Sequence, residues 1–308
     1  MEIYGENNTF HTYEAGGVCS ACRYILPSLV ESAPHYFEDG YVVCQECGEK
    51  VDLWQAVSGR ARAFPFGPMA LTSLGAATTS LKLSMESGRS YPINLEEYGV
   101  SAGAKILSVV FTGQGGADGA VGALLWHGNM VPRRIAGTVL HVMATPLGEG
   151  PLPRTGDVAI HVIWIRKEES DGWVYLLNAF EASADQEYAP AVVFAQSAVE
   201  VSLMPILTGQ LSQYAEKKDV KEFLNGALPF AHALNVVLPN LCGLLGVPRI
   251  PHSILLALNK LREKRNKIIH RGATAANITS EDTAEGLSAA ALGFEYMRFI
   301  KPKLSVDS

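Results

Sequence analysis

Residues 251–270 read PHSILLALNKLREKRNKIIH and combine a helical apolar pattern with a dense run of positive charge. Apolar residues recur at steps that suit one face of an amphipathic α-helix, at Ile254, Leu258, Leu261 and Ile268. Pro251 suits the first turn of such a helix. Arg265 falls on the same apolar stripe, where a leucine would be expected. The segment therefore predicts a helix that carries a guanidinium on its packed face.

Arg265 needs a partner, because an unpaired charge on a packed face is costly. It either pairs with an acid or reaches the edge of the helix layer, or it lines a cleft between helices or protomers where an anion binds. Asn266 and His270 are four residues apart and can touch. The segment thus offers a cation for phosphate, an amide and an imidazole. Four basic neighbours are expected to bind the same polyanion or only to complement the helix dipole: Arg262, Lys264, Lys267 and Arg271.

Helical periodicity covers residues 189–308, with four helices expected at 192–218, 220–246, 251–270 and 280–301. Pro229 and Pro239 are expected to break the second helix. Two pairs resemble capping boxes: Asp219 with Glu222, and Thr279 with Asp282. Short loops between four helices predict an antiparallel bundle over 189–308.

Residues 66–188 show the alternation of β-strands. The expected strands are 79–86, 105–111, 137–144, 157–166 and 173–180, with a hairpin turn at Asp171-Gly172 between the last two. The glycine-rich stretch 111–122 lacks the spacing of a nucleotide-binding loop and is interpreted as a hairpin loop between flanking strands. Short strands without intervening helices predict an antiparallel sandwich or barrel.

Residues 1–58 contain two C-x-x-C pairs, Cys19/Cys22 and Cys44/Cys47. Each pair can present two thiolates to one ion, and two pairs complete a tetrahedral zinc site. A dithiol redox pair is the alternative interpretation. A four-cysteine zinc site is closed, so its metal would be structural, and no catalytic metal is expected. Cys242, in an apolar helix, is expected to be a buried hydrophobe.

The composition places the chain among globular proteins, with three domains expected at 1–58, 66–188 and 189–308 and an α+β multidomain fold. A net charge of −6 argues against general polyanion binding, so any nucleic-acid contact must be local. The N-terminus lacks the pattern of a signal peptide, and the apolar runs are broken by polar residues. A cytoplasmic protein without a membrane span is therefore expected.

The segment Arg265-Asn266-Lys267-Ile268-Ile269-His270 resembles the R-x4-6-H motif of the HEPN superfamily, including the polar residue that often follows the arginine. The preceding apolar helix, the turn at Gly272 and the capped final helix are similar as well. The resemblance covers residues 189–308 and excludes the paired cysteines and the β region.

The resemblance implies a homodimer whose two motifs share a cleft and cleave RNA without metal, by attack of the 2′-hydroxyl on the adjacent phosphate. His270 would transfer protons, Arg265 would stabilise phosphoryl charge, and Asn266 would position the imidazole or substrate. Glu200 is a candidate acidic partner of the motif. HEPN domains often serve as toxins or effectors in bacterial antiviral defence, with a trigger or inhibitor that the sequence leaves unknown.

Two other functions stay open. The helical region can be a non-catalytic module that dimerises or binds nucleic acid or a ligand. The zinc ribbon predicted at residues 1–58 and the β domain would then be interaction modules. Alternatively, the β region binds a ligand and the helices are its scaffold. The intact Arg265/His270 pair favours the ribonuclease, whereas the net acidity of the chain favours the other two functions.

Overall fold

A computed structural model describes residues 10–14, 17–63, 74–113, 115–116, 119–125, 137–148, 150–167, 170–272 and 277–304. The chain forms two compact units. The first combines the residues up to Glu14 with Ala76–Lys167, and the second combines Ala15–Gly75 with Glu168–Ser308. The paired cysteines and the C-terminal helices are therefore grouped in one unit. The division into three domains stays a prediction.

The first unit contains two antiparallel four-stranded sheets. One has the order β1-β4-β10-β6, with strands Phe10–Glu14, Ala77–Glu86, Thr155–Ile165 and Lys105–Gly113. The other has the order β5-β9-β8-β7, with strands Ser90–Asn94, Val139–Leu147, Gly119–Leu125 and Gly115–Gly116. The predicted antiparallel β structure is confirmed.

One hydrophobic core joins the two sheets of the first unit. Ile160 of β10 pairs with Leu81 of β4, and both side chains belong to the core that also contains Leu140 and Val142 of β9. Alternate residues of β9 and β10 are buried, as their sequence period predicts. A core shared by the inner faces of two separate sheets is the arrangement of a sandwich.

The glycine-rich stretch connects the two sheets, which differs from the hairpin expected between its flanking strands. β6 and β8 belong to different sheets. The hairpin is instead formed by β7 and β8, where Gly115 pairs with Ala120 and Gly116 with Gly119. Residues 117–118 lie outside the described residues.

The second unit contains a short hairpin and nine α-helices among the described residues. The hairpin strands are β2, Val42–Val43, and β3, Lys50–Val51. The helices α1 to α9 are Leu29–Asp39, Leu53–Ala63, Asp171–Ala184, Tyr188–Leu211, Lys217–Glu222, Phe230–His232, Leu238–Leu244, His252–Arg271 and Ser280–Leu304. Two π-helical segments, Phe223–Ala227 and Ala233–Val237, interrupt the region between α5 and α7. Pro229 lies in a break, as predicted, whereas the helix continues through Pro239.

Helix α3 corrects the strand predicted at 173–180 and the turn predicted before it. Its buried residues are spaced as on a helix and include Trp173, Leu176, Leu177 and Phe180. The helix packs on α4, and the Trp173 ring lies 5.4 Å from that of Phe294. The same residues fit both the two-residue period of a strand and the 3.6-residue period of a helix. Packing against a neighbouring helix favours the helix.

Helices α3, α4, α8 and α9 pack against one another. Among the described helices, α4 is the one long and apolar enough to cross a membrane by length and composition, and half of its most apolar window is buried. It contacts α3, α8 and α9, as the central helix of a packed layer does.

The predicted capping box at the start of α9 is confirmed. The Asp282 N–H donates to Thr279 Oγ1 at 3.1 Å, and the Thr279 N–H donates to Asp282 Oδ2 at 3.2 Å. The second predicted box is wrong, because α5 begins at Lys217, before Asp219.

Candidate functional site

The four paired cysteines converge on one point. All four Sγ atoms lie within 4.8 Å of one another. Cys19 Sγ is 3.7 Å from Cys47 Sγ, and Cys22 Sγ is 3.6 Å from Cys44 Sγ. Four sulfurs at about 2.3 Å from one tetrahedral ion would be roughly 3.8 Å apart. The cluster can therefore hold a metal ion.

The two cysteine pairs are built as equivalent turns. The Arg23 N–H donates to the Cys19 carbonyl at 3.0 Å, and the Gly48 N–H donates to the Cys44 carbonyl at 2.9 Å. Both donors have left-handed backbones, with φ of 65° at Arg23 and 74° at Gly48. This turn aims both sulfurs of a pair to the same side. The C-x-x-C spacing thus has the local structure that metal binding requires.

One thiol of the cluster is poised to ionise. The Cys47 backbone N–H, aided by that of Glu46 and opposed by desolvation, lowers the pKa of the Cys44 thiol to about 7. Thiolates are the form that binds a soft divalent ion. Cys242 lies outside the cluster and is fully buried. Its Sγ shares a hydrogen bond of 3.3 Å with the Tyr296 hydroxyl, as expected of a structural cysteine.

Two lysines of α8 form ion pairs with acids of α9. Lys264 is bonded to Asp282, and Lys260 Nζ lies 3.1 Å from Glu285 Oε1, so two acids of α9 neutralise them. Partial burial opposes ionisation of Asp282, but the Lys264 and Thr279 hydrogen bonds outweigh it and lower the pKa of that carboxyl. Lys264, which is predicted to attract RNA, is thus half-buried and paired with an acid of the same protein.

Arg265 is not saturated by a carboxylate within the described part of the chain. Its Nη1 donates to Asn266 Oδ1 at 3.2 Å. Its Nε is buried without an acceptor, and so is the Nε of Arg262. Two guanidinium groups on one helix thus each keep a buried Nε–H group without an acceptor, which is energetically costly.

His270 is exposed near the C-terminal end of α8. The sequence predicts that Asn266 orients this imidazole, but the Asn266 oxygen accepts from Arg265 instead. No hydrogen bond joins Asn266 to His270 across the described residues. Lys267 and Arg271 are also exposed on this turn. The imidazole is therefore accessible and is not held by the predicted amide.

The predicted acidic partner does not reach the motif. Glu200 lies on α4, is half-buried and lines a groove beside α5. None of the ion pairs between described residues joins it to Arg265 or His270. The acids that pair with α8 come instead from α9, as in the pair Lys264 and Asp282. The sequence alone did not indicate this pairing.

The sequence matches no protein-family model, and comparisons with curated proteins and with solved structures find no significant match. The interpretation of the site therefore depends on its own residues and geometry.

Proposed function

We propose that the second unit is a metal-independent endoribonuclease of the HEPN type, acting through Arg265, Asn266 and His270. The observation that carries this proposal is the guanidinium of Arg265, which lies on the packed stripe of α8 with a buried Nε that lacks an acceptor. Packing alone would favour an apolar residue at this position. The exposed part of the half-buried guanidinium can bind a phosphate, which would supply the negative charge that no described carboxylate provides.

The proposed reaction is an internal transfer of the phosphoryl group. The 2′-oxygen of one nucleotide forms a bond to the adjacent phosphorus, and the bond from phosphorus to the 5′-oxygen breaks. The 2′-hydroxyl loses a proton to a base, and the 5′-oxygen receives one from an acid. The products are a 2′,3′-cyclic phosphate and a 5′-hydroxyl, and no water is consumed in this step.

His270 is the proposed proton carrier, since its imidazole is exposed and imidazole is the side chain most often used for general acid–base transfer. Arg265 is proposed to donate to the non-bridging oxygens, where charge increases in the transition state. Asn266, bonded to Arg265 Nη1, would hold the guanidinium in place. Arg262, Lys267 and Arg271 would bind neighbouring phosphates. Lys264, bonded to Asp282, would contribute mainly to the junction of α8 with α9.

A homodimer would supply both the acid and the base from two copies of His270. Ile269, next to His270, is 55% exposed, and an isoleucine this accessible is suited to a protein contact. Leu256, earlier on α8, is 49% exposed. A second copy packed against this helix would place two motifs in one cleft. A defence effector built this way would damage RNA once an unidentified trigger releases it.

The four-cysteine cluster is proposed to hold Zn²⁺ in a structural role. The donor set is all sulfur, and the distances between sulfurs suit tetrahedral coordination. Four protein ligands would leave no open position for substrate, so the ion would supply only stability.

The exposed apolar residues of α8 also favour a second function, a non-catalytic module that dimerises or binds nucleic acid. In that case Ile269 would lie in a partner interface, and Arg265 would bind an anion without chemistry. The two functions differ in one outcome, whether RNA is cleaved.

The test compares RNA cleavage by the wild type, His270→Ala and His252→Ala on a denaturing gel in EDTA. His252 is exposed at the start of the same helix, so its substitution is a matched control. We expect cleavage by the wild type and the control, with loss of at least about 100-fold in His270→Ala. The ends should be a cyclic phosphate and a 5′-hydroxyl. Circular dichroism in the same buffer verifies that chelation leaves the fold intact.

Equal cleavage by all three proteins would reject His270 as the proton carrier. RNA that binds the wild type without being cleaved, in the presence of an intact dimer, would favour the non-catalytic function.

A further inference from the structure

A groove of about 970 Å³ runs along α4 in the second unit, away from the basic residues of α8. One wall runs from Ser197 of α4 to Ser212, which directly follows the helix. The residues that line this wall recur every three or four positions and therefore form a stripe on one helical face. At 1.5 Å per residue, this stripe is about 22 Å long. The facing wall comes from α5 and the segment up to Phe230, with Tyr175 of α3 at the edge. A helix would normally cover such a stripe, yet here it is open.

Much of the groove lining is apolar. Val201 and Met204 of α4 line it, together with Leu224 and Phe230 from the opposite wall. Gly209 adds no side chain, and a Cβ placed on it would meet nothing within 4 Å. The groove therefore offers apolar side chains and free space for an occupant.

The end of the groove near α5 is positive. Lys217 and Lys221 both line it and are four residues apart, so they share one face of α5. Neither lysine has a carboxylate partner among the described residues. The acids of α5, Asp219 and Glu222, are outside the lining. The charge offered to an occupant at this end is therefore positive.

Ser212, which directly follows α4, and Glu200 of α4 lie at opposite ends of this wall. Ser212 lines the groove near α5, but its Oγ is buried and adds no exposed hydrogen-bonding group there. Glu200 lies twelve residues earlier on the helix, about 18 Å away along its axis. The acid and the lysines therefore lie at separate ends.

We infer that this groove binds a small amphiphilic carboxylate. Its apolar chain lies along Val201 and Met204, and its head group lies against Lys217 and Lys221. The volume is at the upper end of small-molecule sites, whose lining is also mainly apolar with a few polar groups. A partner protein commonly needs a larger footprint. The charge of the lysines selects an anion over a cation of the same length.

The test is calorimetric titration of the full chain with decanoate and with decylammonium, which share a tail and differ in head charge. We expect saturable binding of one decanoate per chain and at least about tenfold weaker binding of decylammonium. Lys217→Ala/Lys221→Ala should weaken decanoate binding by about tenfold or more. Lys218→Ala is the matched control on the same helix and should leave the affinity unchanged.

Gly209→Leu tests the apolar part of the groove separately. Leucine is a better helix former than glycine, so this substitution fills the groove without weakening α4. We expect it to abolish decanoate binding. Binding that persists in this variant, or equal affinities for the two head groups, would overturn the assignment. Absence of saturable decanoate binding would also overturn it and would leave the groove to a protein partner.

Discussion

The ring of Phe37 meets the ring of Tyr296 edge-on, with centroids 5.2 Å apart and planes at 84°. Phe37 belongs to α1, between the two cysteine pairs, and Tyr296 belongs to α9. Both rings are buried. Phe299 lies 5.5 Å from Phe37, and Lys303 Nζ is bonded to Glu38 at 2.6 Å. The cysteine region and the helices therefore share one core and stabilise one another.

Phe37→Ala should destabilise the whole second unit, because it removes a buried ring from this shared core. We expect the free energy of unfolding to fall by about 3 kcal/mol or more. The measurement is urea unfolding followed by helical circular dichroism. Tyr24→Ala is the control, since Tyr24 is 42% exposed in the same region, and its effect should stay below about 1 kcal/mol. An unchanged helical transition in Phe37→Ala would separate the cysteine region from the helices energetically.

Zinc analysis by mass spectrometry should find one equivalent per chain, because four converging thiolates make one closed site. Cys44→Ser should lose the metal and lower the Tm of the helical signal. Cys242→Ser should keep the metal, since that thiol lies outside the cluster. Full zinc retention in Cys44→Ser would contradict the assignment of the cluster as the metal site.

Asp282→Asn should destabilise α9 in a pH-dependent way. The folded protein lowers the pKa of this carboxyl from 3.8, so its stabilisation is complete above that value and is lost as the pH falls through the folded pKa. We expect a loss of about 1 kcal/mol at pH 7 that diminishes as the pH falls below 3.8. Urea unfolding across this range measures it, with Glu281→Gln as the exposed control. A difference from the wild type that is independent of pH would show that the charge of Asp282 is not its contribution.

Arg265→Met should abolish RNA cleavage and at the same time stabilise the protein. The guanidinium has a buried Nε without an acceptor, and a thioether of similar length removes that cost. We expect a gain of about 1 kcal/mol in the free energy of unfolding, measured with urea. A cleavage defect in a more stable protein cannot be attributed to unfolding.

Arg271→Met is the control for stability, since Arg271 is exposed at the end of the helix. It should change the free energy of unfolding by less than about 0.5 kcal/mol. If Arg265→Met proved destabilising instead, the arginine would have a structural partner, and the argument for an anion site would fail.

Gly172→Ala should destabilise the packing of α3 on α4. A Cβ at this position would overlap Ser202 Oγ and would lie 3.2 Å from both the Ala198 carbonyl oxygen and the Phe294 ring. We expect a loss of about 1–3 kcal/mol. Adding Ser202→Ala should recover part of it, because it removes one of the three contacts. The double variant is measured by thermal unfolding, and failure to recover would mean that the backbone and ring contacts dominate.

Gly172 also shows what sequence patterns leave open. Beside Asp171, a glycine indicates a turn, because it accepts positive φ. In the structure it is helical, and its missing side chain permits close approach to α4. The distinction depends on Ser202, a residue thirty positions away, which local patterns do not include. The capping box of Thr279 and Asp282 was predictable, because both of its hydrogen bonds are local.

The candidate site likewise has some features that the local sequence predicts and others that depend on tertiary structure. The C-x-x-C spacing predicts a cluster because the two sulfurs of a pair are oriented by their own turn. The position of Arg265 on the apolar stripe is also a local feature of the sequence, and its side chain is half-buried in the structure. That Lys264 would be neutralised and Arg265 left without an acid depends on which side chains α9 presents. Only the tertiary structure supplies that information.

The charged hydrogen bond between Glu38 and Lys303 joins residues 265 positions apart in the sequence. During synthesis on a ribosome, α1 emerges long before α9, the helix that covers Phe37. The apolar side of α1 must therefore wait until α9 has been synthesised before it is covered. A nascent or truncated chain that ends before α9 would expose that surface, and this makes such chains natural substrates for chaperones or proteases.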